Sequence, residues 1–178
     1  MKIFCSTLLL CIAALLSAQV RVPGPGGAGT PSSAFVTNQV LGTLRNNFSG
    51  DVGITVTVGA APLVVTSVGR WIVSGNSGTH TVKITTVNEG STICSGSVDT
   101  TLGTPASYMY VPCSGTLSAS TNYYVMSTEA SSGDQWYDNS DTTITVTADG
   151  TSPGSALNGT QNGGAGAAYV PTNFKYHL

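Results

Sequence analysis

The chain has 178 residues, of which only 8% are charged, and its formal net charge is −2 at pH 7. Beyond Lys2, its cations Arg21, Arg45, Arg70, Lys83 and Lys175 are scattered singly, and without a cluster of them to neutralise phosphates a nucleic-acid-binding role is excluded. Threonine, serine and glycine supply the polarity instead, which suits an extracellular β protein.

Residues 1–18, MKIFCSTLLLCIAALLSA, have the layout of a secretory signal peptide: Lys2 is the positive n-region, Ile3 to Leu16 the apolar region, and Ser17-Ala18 the small residues before a cut at Gln19. The 14-residue apolar run is shorter than the ~20 residues that span a bilayer, and no other such run follows. The mature chain is therefore expected outside the cell, with no membrane association after cleavage. Cleavage leaves 160 residues (178 less 18), a usual size for one domain with a real core. Cys5 and Cys11 leave with the leader; Cys94 and Cys113 are then expected to pair in an oxidising compartment. Closing that loop stabilises a fold by roughly 3 kcal/mol in the chain-entropy model.

Residues 19–31 include PGPGGAGTP, which has no strict Gly-x-y period and no anchoring apolar residue, and reads as a flexible arm. The domain proper is expected over 32–178. In DVGITVTV, Val52, Ile54, Val56 and Val58 share one face, the period-2 mark of a half-buried strand. LVVTSVGRWIV is more continuously apolar and predicts a central strand, or two around a bend. THTVKITTV, TICSGSV, SYMYVPC, NYYVMST, TTITVTA and AAYVPTNFKY follow, separated by Gly, Asn, Ser and Pro clusters. Ala148 to Ala167, ADGTSPGSALNGTQNGGAGA, reads as a long loop. The total is about nine strands and no helix. An all-β, antiparallel β-sandwich follows, of jelly-roll type and not immunoglobulin-like, since no tryptophan lies between Cys94 and Cys113.

The segment GNSG, Gly75 to Gly78, is similar to the nucleophile turn of a serine protease, but no histidine precedes Ser77; His80 and His177 both follow it. A turn fits better, because Gly and Asn tolerate positive φ between two apolar runs. His80 has the strand parity of Val82 and Ile84, so it is expected to face the core side and hydrogen-bond to backbone at its rim. SGNSGTHTVKI, GSVDT, SYMYV and GTLSASTNYYVMSTE, spanning about Val64 to Glu129, together resemble a domain-of-unknown-function family of secreted bacterial proteins. Its signature is similar to Gly-Asn-x-Gly-Thr-His, matched here by Gly75 to His80. The resemblance implies a jelly-roll accessory module beside adhesive or carbohydrate-active regions, with no catalytic residue to carry over. The chain departs from it in having Ser114-Gly115-Thr116-Leu117 where a Pro-Val pair is expected, and in its cysteine pair.

SGDQWYDNSD, Ser132 to Asp141, places Trp136 and Tyr137 beside Asp134, Asp138, Asn139 and Asp141. Sugar recognition needs an aromatic face for the apolar side of the ring and carboxylates or amides for its hydroxyls, and this loop offers both. Trp136, Tyr137, Asp134 and Asp138 are accordingly the expected ligand contacts, with Trp71 as a further one. The alternative is that Trp136 and Tyr137 lie on a strand, one of them packing into the core. Asp134, Asp138 and Asp141 also offer oxygens to a structural calcium ion; no other cofactor is expected. Asn47 and Asn158 fit the N-glycosylation triplet. The sequence thus points to a secreted binding module and not an enzyme, with a glycan or cell-surface polysaccharide as partner. A structural subunit of an extracellular matrix, sheath or filament is the alternative, with self-association through strand edges.

Overall fold

The computed structural model describes residues 30–169 and 172–178; the leader and all but the end of the arm lie outside them. The strands are β1 Ser33–Ala34, β2 Val36–Val40, β3 Leu44–Arg45, β4 Gly50–Val58, β5 Leu63–Trp71, β6 Thr79–Thr86, β7 Thr92–Asp99 and β8 Tyr108–Leu117. They continue with β9 Asn122–Glu129, β10 Trp136–Tyr137, β11 Thr143–Val146, β12 Gly150–Thr151, β13 Ser155–Leu157, β14 Thr160–Asn162 and β15 Thr172–His177. Nine of these fifteen are four residues or longer; eight of them coincide with the runs read from the sequence, and β2 is not among those runs. The remainder are two- or three-residue pairings that no periodicity can announce.

All the pairings are antiparallel. One sheet runs β14-β13-β4-β9-β6-β7, with β12 also on β4; the other runs β1-β15-β5-β8; β2–β11 and β3–β10 form two ribbons. The main core draws Ile54, Val56, Val82, Ile84 and Val125 from the larger sheet and Leu63, Val65, Val68, Phe174 and Tyr176 from the smaller. This is the antiparallel all-β sandwich expected from the chain.

The apolar face of β4 is fully inside, with Val52, Ile54 and Val56 at 0% exposure. Its other face is covered too. A Cβ at Gly53 would lie 2.0 Å from the Val125 carbonyl oxygen, so only glycine allows β9 to approach there. Thr55, also buried, donates its hydroxyl to the Gly154 carbonyl at 2.8 Å. β5 is one strand, with a register shift between Val65 and Ser67 against β8.

The stretch 148–167 is not the loop its composition predicts. β12 and β13 dock on β4, and β13 folds back on β14 through Asn158-Gly159. Both turn residues have positive φ (44° and 71°), as a two-residue type I′ hairpin demands and as the Asn-Gly pair favours. Ser155 and Ala156 end fully buried.

Cys94 on β7 and Cys113 on β8 are bonded, with their Cα atoms 5.5 Å apart. Since β7 and β8 are the terminal strands of the two sheets, the bond fastens one edge of the sandwich. The double variant Cys94→Ser/Cys113→Ser is expected to lose about 2–4 kcal/mol of unfolding free energy in urea titrations, with an unchanged far-ultraviolet spectrum.

Candidate functional site

β6 and β9 are antiparallel neighbours, with Val82 opposite Ser127. The loop entering β6 (74–78) and the loop leaving β9 (130–135) therefore emerge side by side at one end of the sandwich. The backbone N–H groups of Ser77 and Gly78 donate to the two Asp134 carboxylate oxygens at 2.8 and 2.9 Å. Asn76 closes a reciprocal pair with Gln135, its Nδ2 donating to the Gln135 carbonyl and its Oδ1 accepting from the Gln135 N–H, both at 2.9 Å. The Thr100 hydroxyl lies 2.8 Å from Asp134 Oδ2.

His80 joins this latch to the core. Its Nε2 is 2.9 Å from Asp134 Oδ2; its Nδ1 is 3.0 Å from the Thr128 carbonyl and 3.2 Å from Glu129 Oε2. Glu129 in turn accepts from Arg70 Nε at 3.1 Å and Nη2 at 3.0 Å, a two-pronged contact, and from the Ser127 hydroxyl at 2.7 Å. Arg70 is 0%, Glu129 3% and His80 6% exposed. Charged side chains at that depth persist only when paired and hydrogen-bonded. With His80 protonated, two cations alternate with two anions. A Cβ at Gly78 would stand 3.1 Å from Asp134 Oδ2 and 3.2 Å from His80 Nε2, so this glycine leaves room for the contact.

The network sets the protonation of its members. Burial alone would lower the His80 pKa, but the hydrogen bond to Glu129, helped by Asp134 and opposed by Arg70, leaves it raised above the ordinary histidine value. Burial pushes the Glu129 carboxyl up; His80 and Arg70 outweigh it and hold it below the ordinary value. For Asp134, burial is likewise overcome by the Ser77 and Gly78 amides, His80 and Thr100, which bring its pKa down to about 2.

Between the two loops lies a pocket of about 570 Å³. Ser74, Ser77, Thr79 and Ser132 supply hydroxyls to its lining, Gln135 an amide, and Asp134 and His80 part of its wall. Ser74, Ser77, Thr79, Ser132 and Gln135 are all exposed.

The structure distributes the sequence-predicted contacts differently from expectation. Trp136 is 1% exposed, packed with Val52 and Tyr169 in a second core, edge-on to the Tyr169 ring at 5.8 Å. Pairing of β10 with β3 brings the Arg45 guanidinium over the indole at 4.9 Å. Trp136 is thus a core residue and no stacking platform. Tyr137 is half-buried opposite Leu44, and Asp138 forms an ion pair with Arg45 at 2.6 Å. Trp71 is half-buried, edge-on to Tyr108 at 5.1 Å. Asp134 is the one member of that set in the pocket wall. The carboxylates considered for calcium do not converge: Asp134 holds the latch, Asp138 holds Arg45, and Asp141 accepts from the Thr43 N–H and hydroxyl. Among the described residues no three His, Cys, Asp or Glu side chains stand together as metal ligands. Asn47 and Asn158 are exposed.

His80 does face inward and bonds to backbone, as its parity predicts, but its charged partners were not anticipated. Arg70 and Glu129 carry the missing signal: an arginine inside an apolar strand and a glutamate closing an aromatic one each require a buried partner. No family model matches the chain, and no curated protein matches it.

Two substitutions test the second core and the buried ion pair. Trp136→Ala is expected to destabilise the fold by about 3–5 kcal/mol through the cavity it leaves. Glu129→Ala, which strands the Arg70 guanidinium without its carboxylate, is expected to lose about 3–5 kcal/mol. Chemical denaturation of both variants measures these losses.

Proposed function

We propose that the chain is a secreted, non-catalytic binding module and that the pocket between residues 74–80 and 130–135 takes a carbohydrate unit of a glycan or cell-surface polysaccharide. The observation that carries this reading is a pocket of about 570 Å³, within the usual range for small-ligand sites, whose walls are fixed by the Asp134 latch while hydroxyls and an amide remain exposed. Its charges are balanced internally, so the chemistry it offers suits an uncharged, polyhydroxylated ligand held by hydrogen bonds.

The same geometry argues against catalysis. Both ring nitrogens of His80 are engaged, and the Ser77 and Gly78 N–H groups that could have held an oxyanion hold Asp134 instead. The resemblance of Gly75 to His80 to accessory modules of secreted bacterial proteins adds support. Export is supported by the leader-like residues 1–18 and by the Cys94–Cys113 bond. Among the described residues no helix is long and apolar enough to cross a membrane.

A glycan array probed with the mature domain, Ser77→Trp and Gln135→Ala tests the site. The wild type is expected to retain neutral glycans. Ser77→Trp, which fills the pocket from an exposed position, is expected to abolish retention at unchanged melting temperature. Gln135→Ala is expected to weaken it about tenfold, the loss of one good hydrogen bond. Retention unaffected by Ser77→Trp would place the ligand elsewhere, and absence of any glycan ligand would remove the carbohydrate reading.

A further inference from the structure

The two loops that wall the pocket meet the core at His80, beside the buried Thr100, which holds Asp134 and the Gly78 carbonyl, and Arg70, whose Nη2 donates to the Gln135 carbonyl at 3.4 Å. We infer that this makes the pocket pH-gated: it is held in shape while His80 carries protons on both ring nitrogens, and is loosened when one is lost. The inference concerns regulation of the site proposed above and rests on that reading only for its effect on binding.

Every group that His80 meets at hydrogen-bond distance is an acceptor. Glu129 Oε2 and the Thr128 carbonyl, both on β9, face Nδ1, and Asp134 Oδ2, on the loop beyond β9, faces Nε2. Arg70 on β5 is the nearby cation, bound to Glu129. Asp99 on the neighbouring β7 is turned to Thr101, and Lys83 on β6 itself is paired with Asp51. A doubly protonated ring satisfies both sides. A neutral ring has one N–H, so whichever tautomer forms, one nitrogen lone pair opposes an oxygen lone pair, and the buried cluster is left with a net negative charge.

The two sides are not equally able to yield. Glu129 is 3% exposed, clamped by two bonds from Arg70 and one from Ser127, and built into a central strand. Asp134 also accepts three bonds besides the His80 contact, from the Ser77 and Gly78 amides and the Thr100 hydroxyl, but it is half-buried and sits on a loop between Gly133 and an exposed Gln135. Relief therefore comes from movement of Asp134, which also releases the Ser77 and Gly78 amides and loosens the opposite wall, leaving Gly78 held only through its carbonyl by Thr100. The direction of the response follows from the shifts. His80 is raised, so the latch is intact below the ordinary histidine range and is lost as pH rises through the raised value. Asp134 is depressed to about 2, so acid breaks the contact only near that pH. The gate opens on the alkaline side.

Nuclear magnetic resonance of the ligand-free domain tests this from pH 5 to 10. The His80 ring and the Ser77 and Gly78 amides are expected to titrate with one midpoint above the ordinary histidine value. Hydrogen-exchange protection of those two amides, corrected for intrinsic rates, is expected to fall at least tenfold across it. In His80→Gln the amides are expected to lose this titration. Asp134→Asn is expected to move the His80 midpoint down, and it serves if the glutamine variant does not fold. Titration of His80 with no response at Ser77 and Gly78, or amide changes that persist unaltered in both variants, would overturn the gate. Because no ligand enters these measurements, a gate seen without glycan retention contradicts the carbohydrate reading alone. Glycan retention indifferent to pH, with silent amides, contradicts the gate alone.

Discussion

A guanidinium buried to 0% exposure inside a β-sandwich has to meet a carboxylate, and the pairing of Arg70 with Glu129 is the constraint from which the rest of the site follows. β5 belongs to the smaller sheet and β9 to the larger, so the ion pair crosses the sandwich at the end where the 74–78 and 130–135 loops emerge. Once Glu129 is fixed, His80 is drawn to it and Asp134 to His80. The last of these pins the turn at Ser77 and Gly78.

Replacing such a cluster with apolar residues is often neutral or stabilising, because removing ions from water costs several kcal/mol each even when they are paired. Stability therefore does not account for its presence. What the charges supply is position. An apolar cluster has no directional preference, whereas four groups alternating in sign and joined by hydrogen bonds admit one arrangement of the two loops. The disulfide makes a contrasting contribution at another edge, holding β7 to β8 outside the lining of the pocket between the loops.

The parts of this arrangement legible in the chain were those with a local period. Val52, Ile54, Val56 and Val58 announced β4 and its buried face, the same parity turned His80 inward, and two cysteines remaining after a leader implied one bond. The polar, glycine-rich flanks of Trp136 suggested a ligand contact, but the alternative the sequence left open, a strand residue packed into the core, is the one that holds; it is buried by Arg45 and Tyr169, residues far from it in sequence. Asp134, Asp138 and Asp141 looked like a ligand set because they are close along the chain, yet Asp134 is partnered by residues 77–80 and Thr100, Asp138 by Arg45 and Asp141 by Thr43. The hairpin at Asn158-Gly159 had a recognisable turn signal, outweighed because Leu157 is the one large apolar residue between 148 and 167. GNSGTH and GDQWYD drew attention separately. That they face each other is a consequence of β6–β9 pairing, which no single stretch records.

If the buried charges position the loops as a unit, then His80 and Asp134 must be energetically coupled. A double-mutant cycle with His80→Asn, Asp134→Asn and the double variant, measured by urea unfolding at pH 6, reads that coupling directly. The account predicts an interaction free energy of about 1–3 kcal/mol, in the range for groups within one hydrogen-bond network. Additivity to within about 0.3–0.5 kcal/mol, the behaviour of independent sites, would contradict it.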